Sequence, residues 1–193
     1  MSLRRVLLGI LWAVWAISWM GAAFWSSRAS ARVDFSQEAS YRLVQILGFA
    51  GLFLPLMLRS TPAIKWPDAV AFGFDVLAVV GFAFCWWARL HLGTLWSATV
   101  TRKEEHRVID TGPYAYVRHP IYTGLLVACL ATAFLEAGIV STLGLVVVVA
   151  GFYMKARIEE MFLREGLGTE IYDAYAARVP MLVPFWPTKN RAA

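Results

Sequence analysis

Two short polar stretches, far apart in the chain, hold most of the side chains that could do chemistry. The first is Arg118-His119-Pro120-Ile121-Tyr122-Thr123-Gly124, preceded by Gly112-Pro113-Tyr114. The second is Lys155-Ala156-Arg157-Ile158-Glu159-Glu160. A histidine at a helix entrance can hold or move a proton near neutral pH. Two carboxylates can attract a cationic ligand and accept its hydrogen bonds. Lys155 lies one turn before Glu159 and can pair with it at i,i+4. Taken singly, His119 also reads as an interfacial histidine and Glu159-Glu160 as a solvated helix face. Their meaning therefore depends on whether the two stretches meet.

The elements between them say that they do. Residues 120–136 form an apolar run that turns at Glu136-Ala137-Gly138 and returns from Ile139 as a second apolar run. Both limbs rise about 1.5 Å per residue as helices, so limbs of similar length bring the polar ends together at one membrane surface. Pro120 suits the first turn of its helix, where its missing N–H does no harm. The return helix meets no breaker until Gly166, which makes it about 40 Å long against a hydrocarbon core of about 30 Å. Glu159 and Glu160 then stand in water or headgroups. Tyr172 and Tyr175, at i,i+3 on a short tail helix, either close over this site or pack on the membrane surface. Pro180, Pro184 and Pro187 make the tail extended and unable to cross again.

Composition sets the wider frame. Of 193 residues, 59% are hydrophobic and 16% charged, and the mean hydropathy is +0.58, which points to membrane spans rather than a soluble domain. The expected fold is an all-α integral membrane protein, one domain over 1–193. Its spans are expected at about 6–25, 41–58, 68–90, 120–136 and 139–156, with a polar loop 91–118 and a tail 157–193. Arg4-Arg5 before the first run and Ala29-Ser30-Ala31 after it imitate a signal peptide, but the run is longer than an h-region and Trp-rich, so it is read as a retained span. Asp34 with Gln37 marks a possible helix start, and Pro55 a bend near the end of the second span. Gly93 should end the third helix, with Trp96 anchoring at the headgroups. With the C-terminus cytoplasmic, fourteen of the 18 Lys and Arg residues fall on inner segments, as the positive-inside bias requires. That makes the chain a multi-pass protein, of the inner or plasma membrane in a bacterium.

The net charge of +5 is spread beside the apolar runs, a pattern of membrane topology and not of a nucleic-acid surface. Cys85 and Cys129 read as packing residues. Three scattered histidines make no metal cluster, and no metal is expected. The chain has no Gly-rich phosphate loop, His-Glu-x-x-His or Gly-x-Ser-x-Gly motif. Asp75, two turns into the third run, is either functional or paired near the interface, and no role is assigned to it.

Arg118-His119-Pro120-x-Tyr122-x-Gly124 resembles a motif of the integral membrane methyltransferases related to isoprenylcysteine carboxyl methyltransferase. Glu159-Glu160, followed by Gly168-x-x-x-Tyr172-x-x-Tyr175-x-x-x-Val179-Pro180-x-x-x-Pro184, matches the same family's C-terminal pattern, and Gly112-Pro113-Tyr114 belongs to it too. The resemblance covers residues 92–184. It implies S-adenosyl-L-methionine held at the cytoplasmic end of the fourth and fifth helices under the tail. By motif match, Tyr114, His119, Pro120, Tyr122, Glu159 and Glu160 become cofactor-binding candidates, with His119 and Glu159 also catalytic. Relatives often carry Arg where this chain has Lys155; Lys lacks the planar fork of Arg, so Arg157 stands beside Lys155 as a candidate for orienting the substrate. The implied reaction is methyl transfer to a lipophilic small molecule or lipid arriving from the bilayer, with a carboxylate or thiolate acceptor favoured. Trp86, Trp87, Trp96 and the first two spans are expected to line its apolar path. The rival readings are an NADPH-dependent membrane reductase of the steroid or sterol type and a non-catalytic lipid-binding module. Oligomeric state stays open.

Overall fold

The computed structural model describes residues 3–22, 29–32, 34–58, 64–96, 101–103 and 108–188. Among the described residues five long helices follow one another: α1 (Leu3–Ala22), α2 (Phe35–Met57), α3 (Asp68–Leu92), α4 (Pro120–Glu136) and α5 (Ile139–Leu167), followed by a short tail helix α6 (Thr169–Ala176). Four are long and apolar enough to cross a membrane; α4 is shorter, at 17 residues, the lower limit for a span.

Local chemistry explains most of the boundaries. Pro120 occupies the first position of α4. The turn into α5 places Ala137 in the left-handed region at φ 45°, and the Ser141 hydroxyl accepts from the Gly138 N–H at 3.3 Å. α5 runs unbroken for 29 residues until Gly168, at φ 94°, a conformation that favours glycine. Two boundaries differ from expectation. α1 is shifted toward the N-terminus, and α2 starts at Phe35, one turn and more before Tyr41. Asp34 does hold the N-cap position of α2, but its side chain makes no capping hydrogen bond.

α2 packs along α5 and α3 along α4, each pair through facing glycines. A Cβ added at Gly144 would lie 2.2 Å from the Leu52 backbone nitrogen, and one at Gly124 would lie 2.5 Å from the Gly81 carbonyl oxygen. Such contact between backbones lets helices associate where lipid supplies no hydrophobic drive. One buried apolar core draws on all five long helices, from Leu8 and Trp12 through Leu52, Phe82, Leu125 and Cys129 to Val148 and Phe152. Cys85 and Cys129 are buried and free, as packing residues should be.

The two ends of the bundle are tied separately, and the ties show alternating helix directions. At one end Arg4 meets Asp75 at 2.7 Å, Arg5 Nε donates to the buried Glu136 at 3.1 Å, and the Trp66 indole donates to the Phe134 carbonyl at 2.7 Å. Asp75 is thus a paired residue, and α1 is pinned to α3 and α4. At the other end Arg89 donates to the Ala22 carbonyl at 2.5 Å and to the Gly93 carbonyl at 2.8 Å. On that side a ribbon absent from the sequence reading joins the α1–α2 and α3–α4 connections: β1 (Ala29–Arg32) pairs antiparallel with β2 (Thr101–Lys103). Arg102 and Lys103 lie in it; 104–107 lie outside the described residues.

Candidate active site

The α4–α5 hairpin brings the two polar stretches together at the end carrying the ribbon. Arg118 Nε donates to Glu160 Oε1 at 2.7 Å, and its Nη1 reaches the Ala176 and Val179 carbonyls at 3.0 and 2.5 Å. His119 Nε2 lies 3.2 Å from the same Glu160 oxygen, and its Nδ1 lies 3.6 Å from Glu159 Oε2. The Tyr122 hydroxyl donates to Glu159 Oε2 at 2.6 Å. The His119 and Tyr122 rings stack, with centroids 5.3 Å apart. Adjacent residues on a helix point about 100° apart. Glu160 is accordingly buried in the clamp with Arg118, while Glu159, 31% exposed, faces a cavity.

The tail completes this end. Backbone N–H groups of Arg118 and His119 donate to the Pro180 and Met181 carbonyls at 2.8 and 3.1 Å, and the Thr123 hydroxyl donates to the Leu182 carbonyl at 2.6 Å. The Tyr175 hydroxyl donates to the Tyr114 carbonyl at 2.8 Å. Burial raises the phenol pKa of Tyr114, Tyr172 and Tyr175, helped by the Glu159 charge at Tyr114 and the Glu160 charge at Tyr172. All three stay neutral at physiological pH, as hydrogen-bonding walls and not as bases.

The cavity measures about 370 Å³ and its lining combines two groups of side chains. The polar group is Tyr114, His119, Tyr122, Lys155, Glu159, Tyr172 and Tyr175, and the apolar group Trp15, Trp19, Leu92, Trp96, Leu125 and Phe152. Pro120 is buried and lines it where α4 begins. The Lys155 ammonium lies over the Tyr122 and Tyr41 rings, 5.2 and 5.7 Å from their centroids, within cation–π range.

Three expectations are corrected here. Arg157 does not share this cavity with Lys155. Two residues apart on a helix is about 200°, so it points the other way, into a separate groove with Arg164 and Trp186. Trp96 is no headgroup anchor: it is buried, with the Arg89 guanidinium 4.0 Å above its ring. Of the expected apolar lining, Trp86 packs edge-on against Trp19 and Trp87 is exposed, whereas Trp96 does line the cavity and, from the first span, so do Trp15 and Trp19. Their i,i+4 spacing on α1 places them on one helix face, a signal present in the sequence. The sequence brings Arg118 opposite Lys155 to Glu160, but its clamp on Glu160 and on two tail carbonyls carries no sequence signal of its own.

Residues 74–165 match the Isoprenylcysteine carboxyl methyltransferase (ICMT) family, a stretch that contains His119, Tyr122, Lys155, Glu159 and Glu160. Over that stretch, a little under half of the chain, the sequence is similar to the ICMT family. Protein-S-isoprenylcysteine O-methyltransferase B of Arabidopsis thaliana is 34% identical over 87 residues, 45% of this chain and 44% of that protein. The Protein-S-isoprenylcysteine O-methyltransferase of Schizosaccharomyces pombe (strain 972 / ATCC 24843) is 36% identical over 87 residues, 45% and 36% of the two proteins. The Methanethiol S-methyltransferase of Pseudomonas sp. (strain GM41(2012)) is 39% identical over 71 residues, 37% and 26%. The chain thus spans less than half the length of these relatives. The solved structure of the eukaryotic intramembrane Ras methyltransferase ICMT shares the fold, with a TM-score of 0.56 at 20% identity over 79% of this chain and 54% of that one. The ICMT-like match leaves out α1, α2 and the tail beyond residue 165, and so excludes Trp15, Trp19, Tyr172 and Tyr175.

Proposed function

We propose that the chain transfers a methyl group from S-adenosyl-L-methionine to a lipophilic acceptor. The observation that carries this reading is one cavity lined both by Glu159 and His119 and by three tryptophans. The residues present suit the donor. Glu159 offers a carboxylate to an ammonium, a sulfonium or ribose hydroxyls, and Tyr114, Tyr172 and Tyr175 offer a neutral aromatic wall. When bound, the donor supplies an electrophilic methyl, whose bond pair stays on sulfur as it leaves.

The protein's own part is mostly placement. A carboxylate or thiolate acceptor is already anionic, so no strong base is needed, and alignment in a water-poor cavity could contribute about 7–11 kcal/mol. The names of the similar proteins support these two classes: the matching family is one of carboxyl methyltransferases, and one relative is a methanethiol S-methyltransferase. Tyr122 fixes Glu159 by its hydrogen bond, and Glu160 fixes His119. Where an acceptor arrives protonated, His119 Nδ1 or Glu159 can take the proton. The Lys155 ammonium lies where it can attract an anionic acceptor, while Trp15, Trp19 and Phe152 hold its apolar part.

Calorimetric titration of the detergent-purified protein tests the reading. S-adenosylhomocysteine is expected to bind and NADPH not to; NADPH affinity without S-adenosylhomocysteine affinity overturns it. Radiolabelled methyl transfer into a lipid extract would then identify the acceptor.

We propose that the part of the cavity lined by Glu159 and His119 faces the cytoplasm, a reading that the basic-residue bias supports. The native cysteines are buried, so a cysteine introduced at the exposed Glu170 reports sidedness. It is expected to resist a membrane-impermeant maleimide in intact cells and to react after lysis. Labelling before lysis would reverse the orientation.

A further inference from the structure

The groove that receives Arg157 lies on the far side of Glu160 from the cavity. It measures about 720 Å³ and is walled by α5 through Tyr153, Arg157 and Arg164, and by the tail through Val183 and Trp186. Arg164 is paired with Asp173 at 2.6 Å and Arg118 with Glu160. Arg157 is exposed and has no partner among the described residues. Tyr153, Val183 and Trp186 are 51%, 53% and 63% exposed, which places a large aromatic and apolar rim beside an uncompensated guanidinium.

The level of the groove says what surrounds it. Arg157 lies about 27 Å along the helix from Ile139, at the far boundary of a hydrocarbon core of about 30 Å. Tyr and Trp favour that boundary, and a guanidinium there meets lipid phosphates, which it can grip with two parallel N–H donors. We propose that this groove binds an anionic phospholipid of the leaflet facing the tail. Its phosphate sits on Arg157, and its chains lie against Tyr153, Val183 and Trp186. Such a lipid bridges α5 to the tail segment whose carbonyls hold Arg118 and His119, so it fastens that strap to the start of α4, where His119 enters the cavity lining. The site stands whether or not methyl transfer is the reaction.

Native mass spectrometry of the full chain released from mixed micelles tests this. Phosphatidylglycerol is expected to be retained about fivefold over phosphatidylcholine, the effect of one basic residue near a membrane surface. Arg157→Gln should abolish that preference, and Trp186→Ala, on the opposite wall, should weaken retention. Arg178→Gln is the control, since Arg178 is exposed, pairs with Asp110 and lies outside the groove; it should change nothing. Added inorganic phosphate should not displace the lipid. Equal retention of both lipids, preference surviving in Arg157→Gln, its loss in Arg178→Gln, or displacement by phosphate would each overturn the proposal.

Discussion

Glu160→Ala is expected to destabilise the protein by about 3–5 kcal/mol, the usual consequence of stranding one member of a buried ion pair. Glu160 is 2% exposed and the Arg118 side chain 11%, so solvent can do little to rescue the guanidinium left behind. Arg118 would keep its two carbonyl partners, but His119 would lose its carboxylate. The change should therefore reach the tail. Denaturant unfolding in micelles, followed by tryptophan fluorescence, measures the stability. Hydrogen exchange at the Arg118 and His119 amides reports whether the strap of residues 180–182 has loosened. Arg118→Ala should cost a similar amount, and the double substitution less than the sum, because the partners form one network. A loss within about 0.5 kcal/mol for Glu160→Ala, the range of ordinary surface changes, would show that the clamp does not hold this end together.

That clamp was only half legible in the sequence. Limb lengths and the Pro120 start were enough to place Arg118 and His119 opposite Lys155 to Glu160, because helix rise is fixed and the turn at Ala137-Gly138 is short. Helical phase is equally readable in the sequence, and Arg157 shows what it decides. Its position two residues from Lys155 puts it on another face, which removes it from the cavity and supplies the neighbouring groove with its charge. The same phase separates Glu159 from Glu160. The pair is one motif in the sequence but performs two tasks in space, one carboxylate aimed at a cavity and one buried in structure.

The ribbon and the apolar lining of the cavity were harder for a physical reason. β1 and β2 are three or four residues long and lie in polar connections about seventy residues apart. No periodicity announces a pairing of that kind, since its partners are set by where the helices end. α1 illustrates the opposite case. Its face carrying Trp12, Trp15 and Trp19 is plain in the sequence, but nothing local says whether it meets lipid or protein. The answer comes from distant partners: Trp12 donates to Thr132 at 2.9 Å, and Arg4 and Arg5 fasten the helix end to Asp75 and Glu136. Those contacts turn a generic apolar helix into one wall of the cavity.

Glu159→Gln is expected to separate charge from shape at the donor site. The substitution keeps the side chain's size and leaves Tyr122 an oxygen to donate to, and Glu159 is already 31% exposed, so folding stability should change little. Donor binding should not be spared. Hydrogen bonds to a charged group are worth about 1.5–3 kcal/mol, which corresponds to about a 10- to 100-fold loss of affinity. The sulfonium adds a sharper criterion, because S-adenosylmethionine carries a positive charge on sulfur that S-adenosylhomocysteine lacks. If Glu159 lies near that sulfur, its neutralisation must weaken the methylated form more than the product, and Tyr122→Phe, which frees Glu159 without neutralising it, must not. Calorimetry with both ligands on both variants gives the comparison. Equal losses would place the carboxylate at the amino group or ribose instead, and unchanged affinities would remove Glu159 from the donor site altogether.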